Sequence, residues 1–250
     1  MATPTFIKII PNYSRGCLYS NGLPWNNALQ ENLEDLDKRT FKSKRKKPTI
    51  IIIGGASGWG KTTLATLIGS WFQGELIDLK NQKAEGAKDF GKCLDYCMQN
   101  NKRVLLYDEA GDFSKDSVQT IVTKNINRVL DTWRTFRILL IMIAPDVGVF
   151  PNAPFDKKLP RLYINMTGGS DVQSNYDAYS YVGMSWIRFK ILQLRRKHAL
   201  AHIIAHSQVI PNFRGHIKEP PVWFQEYVDK SSDAGKQKEI GVAIKKIGQE

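Results

Sequence analysis

The sequence predicts an α/β fold of three layers with a mostly parallel central sheet. Thr49–Ile53, Arg103–Tyr107 and Arg137–Ile143 are near-continuous apolar runs, as in strands covered on both faces. Stretches of helical periodicity separate them, so strands and helices alternate. A glycine-rich loop, Gly54 to Gly60, joins the first of these strands to the first core helix. The chain has 250 residues, enough to bury a full core. Its 42% hydrophobic and 24% charged residues exclude a largely disordered chain. The longest apolar runs, Ile50–Ile53 and Ile138–Ala144, fall far short of the roughly 18 residues of a membrane span. The N-terminus lacks the apolar stretch of a signal peptide. Three cysteines, Cys17, Cys93 and Cys97, are too few for a disulfide framework and point to a reducing, cytoplasmic setting. Cys93 and Cys97 read as buried small hydrophobes.

Residues 1–47 read as an N-terminal arm and basic linker. Phe6–Ile10 suits a short strand closed by Pro11, and Asn26–Asp37 a helix with Leu29, Leu33 and Leu36 on one side. The cluster Lys42–Lys47 is either a solvated linker or a contact for a phosphate backbone. Residues 48–167 form the expected core. Strand Thr49–Ile53, loop and helix Lys61–Phe72 come first, then a second strand at Glu75–Leu79. A helix follows over Lys88–Gln99, with Phe90, Leu94 and Cys97 inward. The third strand ends in Asp108 and Glu109. Asp116 or Ser117 caps a helix running to about Trp133, whose stripe includes Val118, Ile121, Val122, Val129 and Trp133. The fourth strand ends at Ile143, and Leu162–Met166 makes a fifth. Residues 168–250 are a C-terminal extension packed on or continuing the core. There Trp186–Leu194 alternates Ile187, Phe189 and Ile191 against Arg188 and Lys190, as in a half-exposed strand. Pro220-Pro221 precede a helix over Val222–Lys230, and the polar tail holds an amphipathic stretch at Ile240–Ile247.

The chemistry lies in Gly55-Ala-Ser-Gly-Trp-Gly60-Lys61-Thr62, which fits G-x-x-x-x-G-K-[ST] in full, with Thr63 following. The glycines let successive backbone N–H groups face inward and, with the helix N-terminus, cradle a β-phosphate. Gly55, Ser57, Gly58, Trp59, Gly60, Lys61, Thr62 and Thr63 are therefore the candidate nucleotide-binding residues. Lys61 reaches β- and γ-phosphates, and the Thr62 hydroxyl is placed to ligate Mg2+. Trp59 either stacks near the nucleotide or packs on the core. Asp108 stands at the C-terminal end of a buried strand, where a carboxylate holds the metal, so Thr62 and Asp108 are the candidate metal residues. Glu109, next in sequence, suits a base that polarises water in line with the γ-phosphate.

The Gly55–Thr62 loop and the Asp108-Glu109 pair resemble Walker A and Walker B of the additional-strand catalytic-glutamate class of P-loop NTPases. They do not resemble the ParA/MinD-like class, whose loop carries an extra lysine where Gly54-Gly55-Ala56 stands. In the resembled catalytic-glutamate class the strand after Walker B lies beside the loop strand and ends in a polar sensor; here it runs into Ala144-Pro145-Asp146, so Asp146 or a residue elsewhere would sense the γ-phosphate. Arg128, Arg134 and Arg137 precede that strand. A long helix with an arginine-rich approach resembles the FtsK/HerA superfamily of DNA-pumping ATPases, which includes viral genome-packaging and DNA-transfer motors. The resemblance spans about residues 49–167. It implies ATP and Mg2+ as cofactors, a homo-oligomeric ring (a hexamer), and double-stranded DNA through its centre. It also implies a catalytic set of Lys61, Glu109 and Arg134, the last acting in trans. A viral motor would work in the host cytoplasm.

The net charge of +12 favours a polyanionic partner, and the excess is concentrated in residues 1–50 and 168–250. Lys190, Arg195, Arg196 and Lys197 near Trp186 and Phe189 suit either a nucleic-acid surface or a strand edge kept soluble by charge. His198, His202 and His206 recur every four residues and favour a polar stripe or polyanion contact over a metal site. Two other readings stand beside the motor. One is a switch or loader ATPase of a replication complex. The other is a nucleotide or small-molecule kinase, in which Glu109 has no role.

Overall fold

A computed structural model describes residues 23–43, 49–108, 129, 137–150, 153–170, 173–195 and 200–231. Helix α1 (Asn27–Asp37) begins at Asn26, whose side chain accepts from the Leu29 N–H. It buries Leu29, Leu33 and Leu36, as its periodicity predicts. Strand β1 (Thr49–Gly54) is buried along its whole length. Helix α2 (Lys61–Gln73) follows the glycine-rich loop and ends at Gly74 in the left-handed region. Next come β2 (Lys83–Glu85), α3 (Ala87–Gln99), β3 (Val104–Asp108) and β4 (Leu139–Ile143). The chain continues through β5 (Pro160–Ser170), β6 (Gln173–Ser180), α4 (Tyr181–Leu194), α5 (Ala201–Ser207), β7 (Phe213–Lys218) and helix α6 at 222–231.

The described strands form one sheet in the order β2-β3-β4-β1-β5-β6-β7. The pairs from β2 to β5 are parallel, and β6 and β7 add antiparallel neighbours at one side. β4 thus lies between the glycine-loop strand β1 and the Asp108 strand β3. The period-2 alternation of strands explains the layers. Ile51, Ile53, Leu106 and Ile141 face one side with α1, α2 and α6. Ile50, Ile52, Leu105 and Leu140 face the other with α3, α4 and α5. This is the three-layer α/β fold with a mostly parallel sheet that the apolar runs predict.

Several expectations change. Glu75–Leu79 is not a strand. Ile77 and Leu79 are buried, but Asp78 caps a single helical turn, Leu79–Gln82, accepting from the Lys80 N–H. The second strand is the charged Lys83-Ala84-Glu85. Trp186–Leu194 is helical and not a strand: Met184, Ile187, Arg188 and Ile191 are its buried residues, at helical spacing, while Phe189 is 61% exposed. β5 is longer than Leu162–Met166 and runs across position 167. The expected strand Phe6–Ile10, the helix of 116–133 apart from Val129, Arg128, Arg134, Glu109, Lys44–Lys47, Arg196, Lys197, His198 and Ile240–Ile247 lie outside the described residues.

Candidate nucleotide site

The loop after β1 turns between two neighbours. The Gly55 N–H donates to the Pro145 carbonyl at 3.0 Å, and the Ala144 N–H donates to Ile53 O at 3.1 Å. Gly55 has φ +129°, and a Cβ there would stand 2.6 Å from Met166 O on β5. Only glycine lets the chain pass this close to β5 in that conformation. Gly58 and Gly60 also have positive φ, and Gly60 is the N-cap of α2. The first turn of α2 therefore aims its N–H groups into the loop. A cleft of about 1050 Å³ opens here, lined by Gly55–Thr63, by Lys83, Glu85 and Asp108, by Ala144–Asp146, and by parts of β5, α5 and α6.

Lys61, at the start of α2, donates from Nζ to the Ala56 carbonyl at 2.7 Å across the loop. Partial burial pulls its ammonium below the ordinary lysine value, and the Asp108 carboxylate opposes that shift. An anionic ligand would favour its charged form. The Thr62 hydroxyl donates to Asp108 Oδ2 at 3.2 Å. These residues are 46 apart in sequence and lie on different elements, yet the sheet order brings them together. A hydroxyl and a carboxylate beside a phosphate cradle are hard oxygen donors. They fit Mg2+, which takes one or two protein oxygens and completes its shell with phosphate and water. Among the described residues no group of three His, Cys, Asp or Glu is placed to hold a metal by itself.

Other expected residues fall as follows. Trp59 is 39% exposed, and its ring lies near Gly168 on β5, where an added Cβ would stand 3.6 Å from Cε2. Thr63 hydrogen-bonds the Gln225 side chain of α6 at 3.4 Å. Asp146 lines the cleft, but its carboxylate accepts from the Gly148 N–H at 2.6 Å and pairs with Arg195 at 3.8 Å. A carboxylate is acceptor-only, so it is the wrong group to donate to a phosphate. His202 and His206 share α5. The His206 Nδ1–H donates to His202 O at 2.6 Å, and Nε2 lies 3.0 Å from the Tyr163 hydroxyl. That hydroxyl is also 3.1 Å from Asn165 Oδ1 on β5, which lines the cleft.

The sequence reading missed Asn165 and the cleft residues of β2, Lys83 and Glu85. Asn165 had one available signal, a polar residue at the C-terminal end of an otherwise apolar strand. Lys83 had none, because its contacts with Asp108 and Ser231 join residues far apart in sequence.

A family model described as "ATPase family associated with various cellular activities (AAA)" matches residues 51–160. Among solved structures, the FIGL-1 AAA domain aligns at 13% identity over 86% of this chain and 86% of that one, with a TM-score of 0.42. The N-terminal domain of zonular occludens toxin from Neisseria meningitidis aligns at 13% identity over 54% of this chain and 84% of its own, with a TM-score of 0.37. The replication initiator DnaA bound to AMPPCP and single-stranded DNA aligns at 10% identity over 93% of this chain and 70% of its own, with a TM-score of 0.37. No curated protein matches the chain in sequence.

Proposed function

We propose that this P-loop NTPase domain hydrolyses ATP to move nucleic acid, working as a ring of identical subunits on double-stranded DNA. The observation that carries the nucleotide chemistry is the meeting of Thr62 and Asp108 at the mouth of the glycine loop, with Lys61 opposite. The loop amides hold the β-phosphate. Lys61 gives up its Ala56 contact and binds the phosphate oxygens. Thr62 and Asp108 would hold Mg2+, which neutralises charge on the phosphates. Glu109 follows Asp108 in sequence and serves as the base that polarises the attacking water. Arg134 of a neighbouring subunit supplies positive charge to the transition state.

The nucleic-acid part of this reading is supported by the +12 charge and by one face of α4. There Trp186 and Phe189 are 45% and 61% exposed, and Lys190 Nζ lies 4.6 Å from the Trp186 ring centre. The same face supports a second reading, a loader acting on unpaired strands, because exposed aromatic rings stack on unpaired bases.

The test is steady-state ATPase activity with and without duplex DNA, for wild type, Lys61→Ala and Glu109→Gln. Stimulation by duplex, lost in both variants, is the expected result. A wild-type rate in Glu109→Gln without DNA response would remove the motor reading. Displacement of a triplex-forming strand distinguishes a translocating motor from a loader, which leaves the triplex intact.

A further inference from the structure

A second cation stands against the Asp108 carboxylate, outside the glycine-loop motif. Lys83 lies on β2, whose register sets Lys83 beside Leu106 and Glu85 beside Asp108. Strand alternation puts Lys83, Glu85, Leu106 and Asp108 on one face of the sheet. The Lys83 side chain is only 2% exposed. An ammonium so far removed from water persists only with partners. Nζ lies 2.8 Å from Glu85 Oε1, 3.3 Å from Ser231 Oγ on α6, and 3.7 Å from Asp108 Oδ2. That last oxygen is the one that accepts from Thr62. At 3.7 Å the Lys83–Asp108 pair is an ion pair without a hydrogen bond. Lys83 therefore acts on Asp108 through charge, while its hydrogen bonds go to Glu85 and Ser231.

We propose that Lys83 tunes the metal site electrostatically: its charge beside Asp108 sets how strongly that site attracts Mg2+. The proposal rests on the Mg-nucleotide reading of the cleft. Two carboxylates, Glu85 and Asp108, and one ammonium share a poorly solvated corner, where charges act on one another more strongly than in water. Lys83 opposes the approach of a dication to Asp108. Glu85 draws Lys83 away from Asp108 and moderates that opposition. The two neighbours thus push metal affinity in opposite directions. A lysine that served only to fill space would not produce this sign pattern.

The experiment is calorimetric titration of AMPPNP, a nonhydrolysable ATP analogue, at a series of Mg2+ concentrations, giving the Mg2+ midpoint for nucleotide binding. Lys83→Met removes the charge and keeps the chain length, and its midpoint falls at least threefold. Lys83→Arg keeps the charge and stays near wild type. Glu85→Gln removes the carboxylate that draws the Lys83 charge away from Asp108, and its midpoint rises at least threefold. An unchanged or raised midpoint in folded Lys83→Met overturns the proposal. If Lys83→Met does not fold, Glu85→Gln decides, and an unchanged or lowered midpoint there overturns it. Asp108→Asn is the control for the underlying reading. If its midpoint equals wild type, the metal site is misassigned and the role of Lys83 falls with it. A shift in Asp108→Asn with none in Lys83→Met or Glu85→Gln refutes the role of Lys83 alone.

Discussion

Two glycines of the loop look alike in sequence and differ in what an added methyl group would meet. Gly58 has φ +80° and nothing within 4 Å of a Cβ placed on it. Alanine there costs about 1–2 kcal/mol, the ordinary penalty of a left-handed L-residue. Gly55 has φ +129°, and its added Cβ would lie 2.6 Å from Met166 O and 2.8 Å from Met166 Cβ. The carbonyl belongs to β5, which is held by pairing on both sides. It cannot rotate aside as a side chain would. Backbone strain of about 1–3 kcal/mol adds to displacement of β5, so Gly55→Ala costs more than Gly58→Ala by about 2 kcal/mol or more. If half of that excess falls on the cradle, nucleotide affinity differs between the two by roughly fivefold. Urea unfolding gives the stability difference, and fluorescence titration with a labelled ATP gives the affinity difference. Equal losses in the two variants, or a larger loss in Gly58→Ala, would refute the claim that β5 closes the loop from behind.

Three further outcomes are expected. Lys61→Ala weakens ATP binding at least tenfold with an unchanged melting temperature, because among the described residues the Lys61 side chain donates to Ala56 O alone. Titration and thermal melting check the two halves. Gln82 is fully buried, exchanges two hydrogen bonds with Gln73, donates to Val104 O and accepts from the Asp78 N–H. Gln82→Ala leaves that N–H unserved and lowers stability by about 2 kcal/mol in urea unfolding. Burial holds His206 below the ordinary histidine value of 6.5, although Asp146 and the His202 carbonyl oppose the shift. The folded state therefore binds this proton more weakly than the unfolded chain. Its stability is whole above pH 6.5 and falls as pH drops through the lowered folded value. In thermal melts from pH 7 to 5, His206→Gln has the shallower decline, and parallel curves would remove His206 from the account.

The strands that build the nucleotide cleft were legible because burial on both faces writes itself as unbroken apolar sequence, as in Ile50–Ile53 and Leu139–Ile143. The glycine loop was legible because its φ values leave few residue choices. The rest failed for physical reasons. Arg188 interrupts the apolar face of α4 and yet is buried, its guanidinium donating to Phe150 O at 2.8 Å and lying 4.5 Å from the Phe155 ring centre. A charged residue inside the helical stripe made period 2 look better than period 3.6. β2 is three residues long, its Lys83 and Glu85 pair with each other at 2.8 Å, and Lys83 also meets Asp108 and Ser231, far away in sequence. β6, with the sequence QSNYDAYS, has few apolar residues to announce it, and pairing on both sides holds it in place.

The central claim is that the loop grips a triphosphate and that the acidic pair ends its life by activating water. Glu109→Gln, assayed in one sample for bound ATP and for released phosphate, tests it most directly. The account predicts stoichiometric ATP retained on the protein with turnover reduced at least a hundredfold. Turnover at the wild-type rate, or failure of the wild type itself to retain ATP in the presence of Mg2+, would contradict it.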